Sequence, residues 1–303
     1  MPGALALLDS PSLWYRAFHA VPDSVRAPDG TPTGAVRGFL DLVSRVVRDT
    51  RPARLVATLD LDWRPAFRVA AVPSYKLHRT TEAGAEEEPP ALVQQVGIVL
   101  EVLDALGVPA VGAPGHEADD VIGTLATRAS GPVDVVSGDR DLFQLVRDDG
   151  PVRVLYAAEK MRPYGEAEVA ARYGIPGRAY AEYAVLRGDP SDGLPGVPGV
   201  GDKTAAALIS RFGSVSGVLA ALDAGVQNGF PAGARTRLLA ARDYLAVAPA
   251  VTSVVRDLPL PELDDALPRT PRDPERLLAL SDRYGLEKPL ERFLQALEVA
   301  RDE

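Results

Sequence analysis

The sequence predicts an α/β fold, a mainly parallel central sheet flanked by helices, followed by a smaller helical region. Three observations predict it. Mostly apolar runs at 5–8, 55–59 and 133–136 alternate with helical patterns at about 36–48, 92–106 and 118–128. That alternation is the mark of βαβ units with helices on both faces of the sheet. The alternation stops near Glu166, where helix-forming sequence takes over. Finally, each apolar run is followed closely by an aspartate, namely Asp9, Asp60 and Asp139. In a parallel sheet such residues collect in the crevice at the carboxyl ends of the strands.

Taken in order, the first strand delivers Asp9 and the second delivers Asp60. The alternation then breaks from 63 to 90. This stretch is first basic (Arg64, Arg68, Lys76, Arg79), then small and acidic over 80–88, and it closes on Pro89-Pro90. Its length and composition predict a functional loop or arch, not a plain connection. The helix at 118–128 opens on Glu117-Ala118-Asp119-Asp120, and the strand at 133–136 leads into Asp139-Arg140-Asp141. Gly and Pro punctuate 188–201, a segment that begins with Asp189 and Asp192. A Pro-rich stretch at 258–274 predicts an extended connector, and 274–301 predicts one amphipathic helix that packs back on the body. The expected divisions are an α/β core at 1–165 with the arch at 63–90, a helical subdomain at 166–265 and a C-terminal extension at 266–303.

So many carboxylates in one place repel each other unless cations are shared among them. An oxygen-only ligand set suits Mg²⁺ or Mn²⁺. Sites holding several such ions act typically on phosphate esters. The formal charge of -9 would argue against a nucleic-acid partner, but the carboxylate cluster carries much of that excess. The absence of cysteine excludes disulfides and thiol nucleophiles. No apolar stretch approaches membrane-spanning length, and the chain enters its first strand without a charged leader. A soluble, cytoplasmic protein with no membrane partner is the expectation. The acidic end at 298–303 reads as a frayed helix terminus.

The segment Gly196-Val197-Pro198-Gly199-Val200-Gly201-Asp202-Lys203-Thr204 opens a helix after a tight glycine turn. Glycines permit close backbone approach, and the free N–H groups at a helix start attract phosphate. Lys203 adds a point charge. The alternative is an ordinary helix-start turn, but the full string favours a grip on a nucleic-acid backbone that ignores base sequence.

Extended upstream to Asp189-Pro190-Ser191-Asp192-Gly193-Leu194-Pro195, this string resembles the helix–three-turn–helix signature of the 5′ nuclease (flap endonuclease) family. The runs 115–120 and 137–145 are similar to that family's two central acidic motifs. Leu8-Asp9, Trp14-Tyr15-Arg16-Ala17-Phe18 and Gly38-Phe39 fit its N-terminal pattern. The similarity covers about residues 4–260 and is strongest to the 5′–3′ exonuclease domains fused to bacterial DNA polymerase I. No polymerase sequence follows, so the chain resembles the free-standing bacterial form.

The resemblance implies a PIN-like core and a helix–three-turn–helix DNA-binding subdomain. It implies ligands Asp9, Asp60, Glu117 and Asp119 for one divalent ion. A second ion would take Asp139, Asp141, Asp192 and a shared Asp119, with Asp120 and Asp189 supporting through water; a third ion is compatible. Arg68 and Lys76 fall where the family steers and polarises the scissile phosphodiester, with Arg79 close behind. Tyr15 matches a base-stacking position, with core packing as its alternative, and Gly38, Gly196, Gly199, Gly201, Lys203 and Thr204 fall in DNA-contacting segments. K⁺ is implied at carbonyls of the hairpin. The implied activity is structure-selective hydrolysis of DNA near free 5′ ends by a monomer, as exonuclease and flap endonuclease, in replication (RNA primer removal) and repair. Flapped, nicked or recessed duplexes and RNA–DNA hybrids are the implied substrates.

The chain departs from the family at Gly193, where Asn is usual, and at His116, where polymerase-linked relatives often carry Tyr. His116 reads as peripheral, His19 as a packing residue and His78 as a loop residue. Competing readings are a non-catalytic flap- or junction-binding module, a phosphatase, a compact RNA-cleaving PIN nuclease and an RNase H-like activity on hybrids. The complete acidic set speaks against the first. Asp9-Ser10-Pro11 lacks the second aspartate common in such phosphatases, and PIN nucleases are typically much shorter.

Overall fold

Residues 5–8 are apolar without interruption and at most 2% exposed, as a strand covered on both faces requires. They form β1 (Leu5–Asp9), the middle of a sheet completed by β2 (Arg54–Leu59), β3 (Ala110–Gly112), β4 (Val133–Ser137), β5 (Val152–Tyr156) and β6 (Arg162–Tyr164). The computed structural model describes residues 3–22, 24–80 and 89–300. Strand order is β3-β2-β1-β4-β5-β6, parallel throughout except for the final β5–β6 hairpin pair. Asp9 lies opposite Thr58 and Leu8 opposite Val136, so Asp9, Asp60 and Asp139 leave the sheet at one edge. The order runs outward from β1 in one direction and from β4 in the other. Their junction is the switch point where α/β sheets open a crevice.

Alternation along β1 sends Leu5 and Leu7 into one apolar layer and Ala6 and Leu8 into the other. Helices α1 (Ser10–Ala20), α2 (Gly34–Thr50), α3 (Ala66–Ala71), α4 (Pro90–Leu106) and α5 (Ala118–Arg128) make the crossovers. Leu8 joins Phe39, Val43 and Leu103 from α2 and α4, while Leu7 joins Val121 and Ile122 from α5. The second layer continues into the helical region: α6 (Glu166–Tyr173), α7 (Tyr180–Arg187), α8 (Asp202–Phe212), α9 (Val215–Asp223), α10 (Ala234–Ala240), α11 (Arg242–Val247) and α12 (Pro249–Thr252). The connector after 258 is extended. Leu55 N–H reaches Asp265 O and Leu267 N–H reaches Ala53 O, which lays it along the start of β2.

Two expectations change. The single C-terminal helix is two, α13 (Pro274–Tyr284) and α14 (Glu287–Val299). Gly285 breaks it with φ +62, a left-handed conformation that glycine adopts without penalty, and Arg37 caps its carbonyl. Phe293 and Leu297 of α14 then pack beside α2 in the Leu8 layer. The basic half of the 63–90 stretch is also folded, into α3 and a 3₁₀ turn at Leu77–Arg79. Its acidic half, 81–88, and the terminal 301–303 lie outside the described residues. Among the described residues no single helix is long and apolar enough to cross a membrane.

Candidate active site

Four carboxylates at the sheet edge are held by backbone N–H groups. Asp9 caps α1, accepting the Ser12 N–H at 3.3 Å and the Ser137 hydroxyl. Asp60 accepts the Ala118 N–H at 2.6 Å, which ties the end of β2 to the start of α5. Asp139 accepts the Asp141 N–H at 2.8 Å. Asp189 accepts the Ser191 N–H at 2.9 Å in the turn that presents Asp192. Asp9, Asp60, Glu117, Asp119 and Asp139 line a single cavity of about 810 Å³, together with Lys76, Arg79 and Tyr15.

Burial is the main reason Asp9, Asp60, Asp119, Asp141 and Asp192 hold their protons more tightly than an ordinary carboxyl. It pushes Asp9 up to about 7, with help from the charges of Asp60 and Asp139. Asp60 is pushed to about 6 by burial and then by Glu117. Asp192 also rises to about 6, burial and Asp139 outweighing Lys76 and Arg79. Asp119 and Asp141 lie well above the usual carboxylate range for the same reasons. An all-oxygen, buried and mutually repelling set is what a hard dication relieves, so the donor chemistry fits Mg²⁺ or Mn²⁺. As they stand, no three His, Asp or Glu side chains among the described residues are gathered around one ion position. Protein cations supply part of the neutralisation instead.

Arg68 is the first of these cations, and it corrects an expectation. It is 3% exposed, and it donates to Glu117, to both oxygens of Asp120 (2.6 and 3.1 Å) and to the Val251 carbonyl (3.0 Å). A guanidinium committed in this way braces the site from behind and does not face a phosphate. Asp120 changes role with it. Fully buried, it accepts from Arg68 and the Val255 N–H (2.9 Å) and does not line the cavity. Lys76 does line it, with its ammonium on Glu117 and its backbone left-handed at φ 47. Arg79 donates to Asp192 at 3.1 Å. Tyr75, which the sequence did not single out, donates its hydroxyl to Glu117 at 2.7 Å. Its place beside Lys76 was the only available signal.

Helix α1 divides its rings between core and solvent. Trp14 is buried 6.4 Å from Phe39, whereas Tyr15 is 50% exposed at the cavity. His19 is exposed, edge-on to Tyr15 at 4.6 Å, so it is a surface neighbour and not a packing residue. His78 is exposed in the 3₁₀ turn. His116 lies 3.3 Å from Asp120 and stays peripheral. Gly38 is a further correction. A Cβ there would meet the Ala17 Cβ at 2.9 Å and Val21 at 3.0 Å, so it serves close packing of α2 on α1 and not DNA contact.

The glycine hairpin divides similarly. Gly196, at φ +64, lets the chain pass Arg187 and Gly188, where a Cβ would come within 2.5 Å of backbone. Gly199, at φ +78, lies against Arg237, which donates to its carbonyl at 3.1 Å. Gly201 has open space where a Cβ would project, and it precedes the first turn of α8 with exposed Lys203 and half-buried Thr204. Val197 and Val200 anchor the turn in the core beneath. The open end of the hairpin is therefore at 201–204.

Comparison with known proteins agrees with this geometry. Residues 4–174 match the family model of the 5′–3′ exonuclease N-terminal resolvase-like domain, and 175–275 match that of the 5′–3′ exonuclease C-terminal SAM fold. A 5′–3′ exonuclease of Streptomyces coelicolor is 54% identical over 96% of this chain and 99% of its own length. DNA polymerase I of Mycobacterium bovis is 37% identical over 98% of this chain, which spans 32% of that protein. Among solved structures, a bacteriophage T5 D15 flap endonuclease in a pseudo-enzyme–product complex with DNA and metal ions shares the fold. Its TM-score is 0.61 at 18% identity, covering 99% of this chain and 100% of that one.

Proposed function

The chain belongs to the 5′–3′ exonuclease family, and from that premise we propose that it hydrolyses DNA phosphodiesters near free 5′ ends, metal-dependently and by substrate shape. The observation that carries this reading is the single cavity lined by five carboxylates and two cations at the sheet's switch point. Two or three Mg²⁺ or Mn²⁺ ions, held by Asp9, Asp60, Glu117 and Asp119 and by Asp139, Asp141, Asp192 and the shared Asp119, with Asp189 supporting through water, would supply Lewis-acid activation of water and charge for the leaving oxygen.

The chain's own groups do the rest. Lys76 exchanges its partner Glu117 for the scissile phosphate, and Arg79 adds charge at the Asp192 side. Arg68 and Tyr75 keep Glu117 in place from below. Tyr15 offers a stacking face worth about 1–3 kcal/mol per base, indifferent to sequence. Backbone N–H groups at 201–204 and Lys203 hold duplex phosphates at a set distance from the cavity. K⁺ at the hairpin would have to share the Gly199 carbonyl with Arg237. The roles follow as proposals: flap and nick processing in replication and repair, RNA primers in hybrids included, by a monomer acting in the cytoplasm on the nucleoid.

The test is an end-labelled flapped duplex incubated with and without Mg²⁺ or Mn²⁺. Cleavage near the 5′ end that needs the ion is the expected result. Asp119→Ala and Asp141→Ala should abolish it while a mobility shift shows the duplex still bound. Cleavage retained in either variant refutes the carboxylate assignment, and tight flap binding without any cleavage by the unaltered protein favours the non-catalytic module.

A further inference from the structure

Gly193 packs against backbone and not against a side chain. Its φ is +69, and a Cβ built on it would stand 2.2 Å from the Ser74 carbonyl oxygen and 3.4 Å from the Lys76 nitrogen. Around that contact the segment 74–79 is sewn to the turn 189–193. The Ser74 hydroxyl donates to the Gly193 carbonyl at 2.8 Å, and the Lys76 N–H donates to the Asp192 carbonyl at 2.9 Å. Arg79 closes the seam on the Ser191 carbonyl and the Asp192 carboxylate. Lys76 meanwhile carries the side-chain bond to Glu117 from a left-handed backbone. A lysine rarely adopts that conformation unless its surroundings impose it.

We propose that Gly193 and Ser74 are positioning residues, forming a latch that fixes Lys76 and Arg79 relative to Asp192 so that both sides of the cavity act as one unit. Neither residue lines the cavity. The latch acts through the residues it holds, and it rests on the nuclease reading above. Because the seam joins backbone to backbone, one added methyl group at 193 must push the two segments apart. A displacement near 1 Å at a reacting centre costs about 100-fold in rate.

The experiment uses the full chain with Gly193→Ala, Ser74→Ala and the double variant on a flapped duplex in Mn²⁺. Gly193→Ala should lower kcat about 100-fold and leave KM within roughly twofold, since the hairpin grip is untouched. Ser74→Ala removes one hydrogen bond and should lower kcat roughly fivefold. The double variant should be no slower than Gly193→Ala alone, because a latch already open has nothing further to lose. Hydrogen exchange in a peptide covering 74–79 should quicken in both single variants, a readout independent of turnover. Unchanged kcat with Gly193→Ala overturns the proposal, and so does a double variant whose losses simply multiply. If Gly193→Ala fails to fold, Ser74→Ala alone decides, through its kcat and its exchange at 74–79. Failure of the unaltered protein to cleave would strike the nuclease reading and not the latch, which the exchange measurement still tests.

Discussion

Arg68 occupies two carboxylates and a carbonyl drawn from two separate stretches of chain, and almost none of it meets solvent. Removing the guanidinium leaves Asp120 buried without its counter-charge and Glu117 with Lys76 alone, a loss of about 3–5 kcal/mol. Arg68→Met should therefore lower the stability found by denaturant titration by that order. Arg68→Lys should recover little, because an ammonium cannot reproduce the two-armed fork on Asp120. A variant as stable as the parent would return Arg68 to the cavity. The sequence placed Arg68 correctly in a basic stretch near Asp60. It could not say that α3 turns this side chain inward, because a six-residue helix has too few turns to show a face. Lys76 and Tyr15 were legible for the opposite reason. Their neighbours Tyr75 and Trp14 take the buried positions, leaving these two at the cavity.

At the level of elements, strands were readable wherever burial on both faces made a largely apolar run, as in β1, β2 and β4. The three-residue β3 and β6 carry no such run, since neighbours in the sheet define them. The C-terminal helix misled for a related reason. Residues 274–301 keep a helical apolar spacing across Gly285, and only the docking of Arg37 on its carbonyl shows where the break falls. The α1–α2 crossing provides a prediction at this scale. With Gly38 seated on Ala17 and Val21, Gly38→Val should overpack the crossing and cost about 1–3 kcal/mol in thermal or denaturant unfolding. Affinity for duplex DNA measured in chelator, which reports the hairpin, should stay unchanged. A lost affinity with stability intact would restore Gly38 to the DNA surface.

Across the whole molecule, the chain brings carboxylates from five distant stretches to one sheet edge and meets their repulsion with too few cations. The consequence is a stability that depends on pH in a direction opposite to most proteins. Asp9 binds its proton up to about pH 7 in the folded chain, and Asp60 and Asp192 up to about 6, against an ordinary value of 3.8. Between those limits the folded state holds more protons than the unfolded one, so stability falls as pH rises. The contribution is complete below about pH 4 and lost by about pH 7, passing through the folded values. Chelated protein should thus melt at a lower temperature at pH 8 than at pH 5.5. Mg²⁺ or Mn²⁺ added at pH 8 should restore the difference, because an ion that binds only the folded chain stabilises it by mass action. At pH 5.5 the same addition should do much less, the protons already occupying the oxygens. Calorimetry at the two pH values, with and without the ion, measures all four melting points. A chelated protein equally stable at both would mean that Arg68, Lys76 and Arg79 already balance the cluster, and that no ion is needed to hold the edge together.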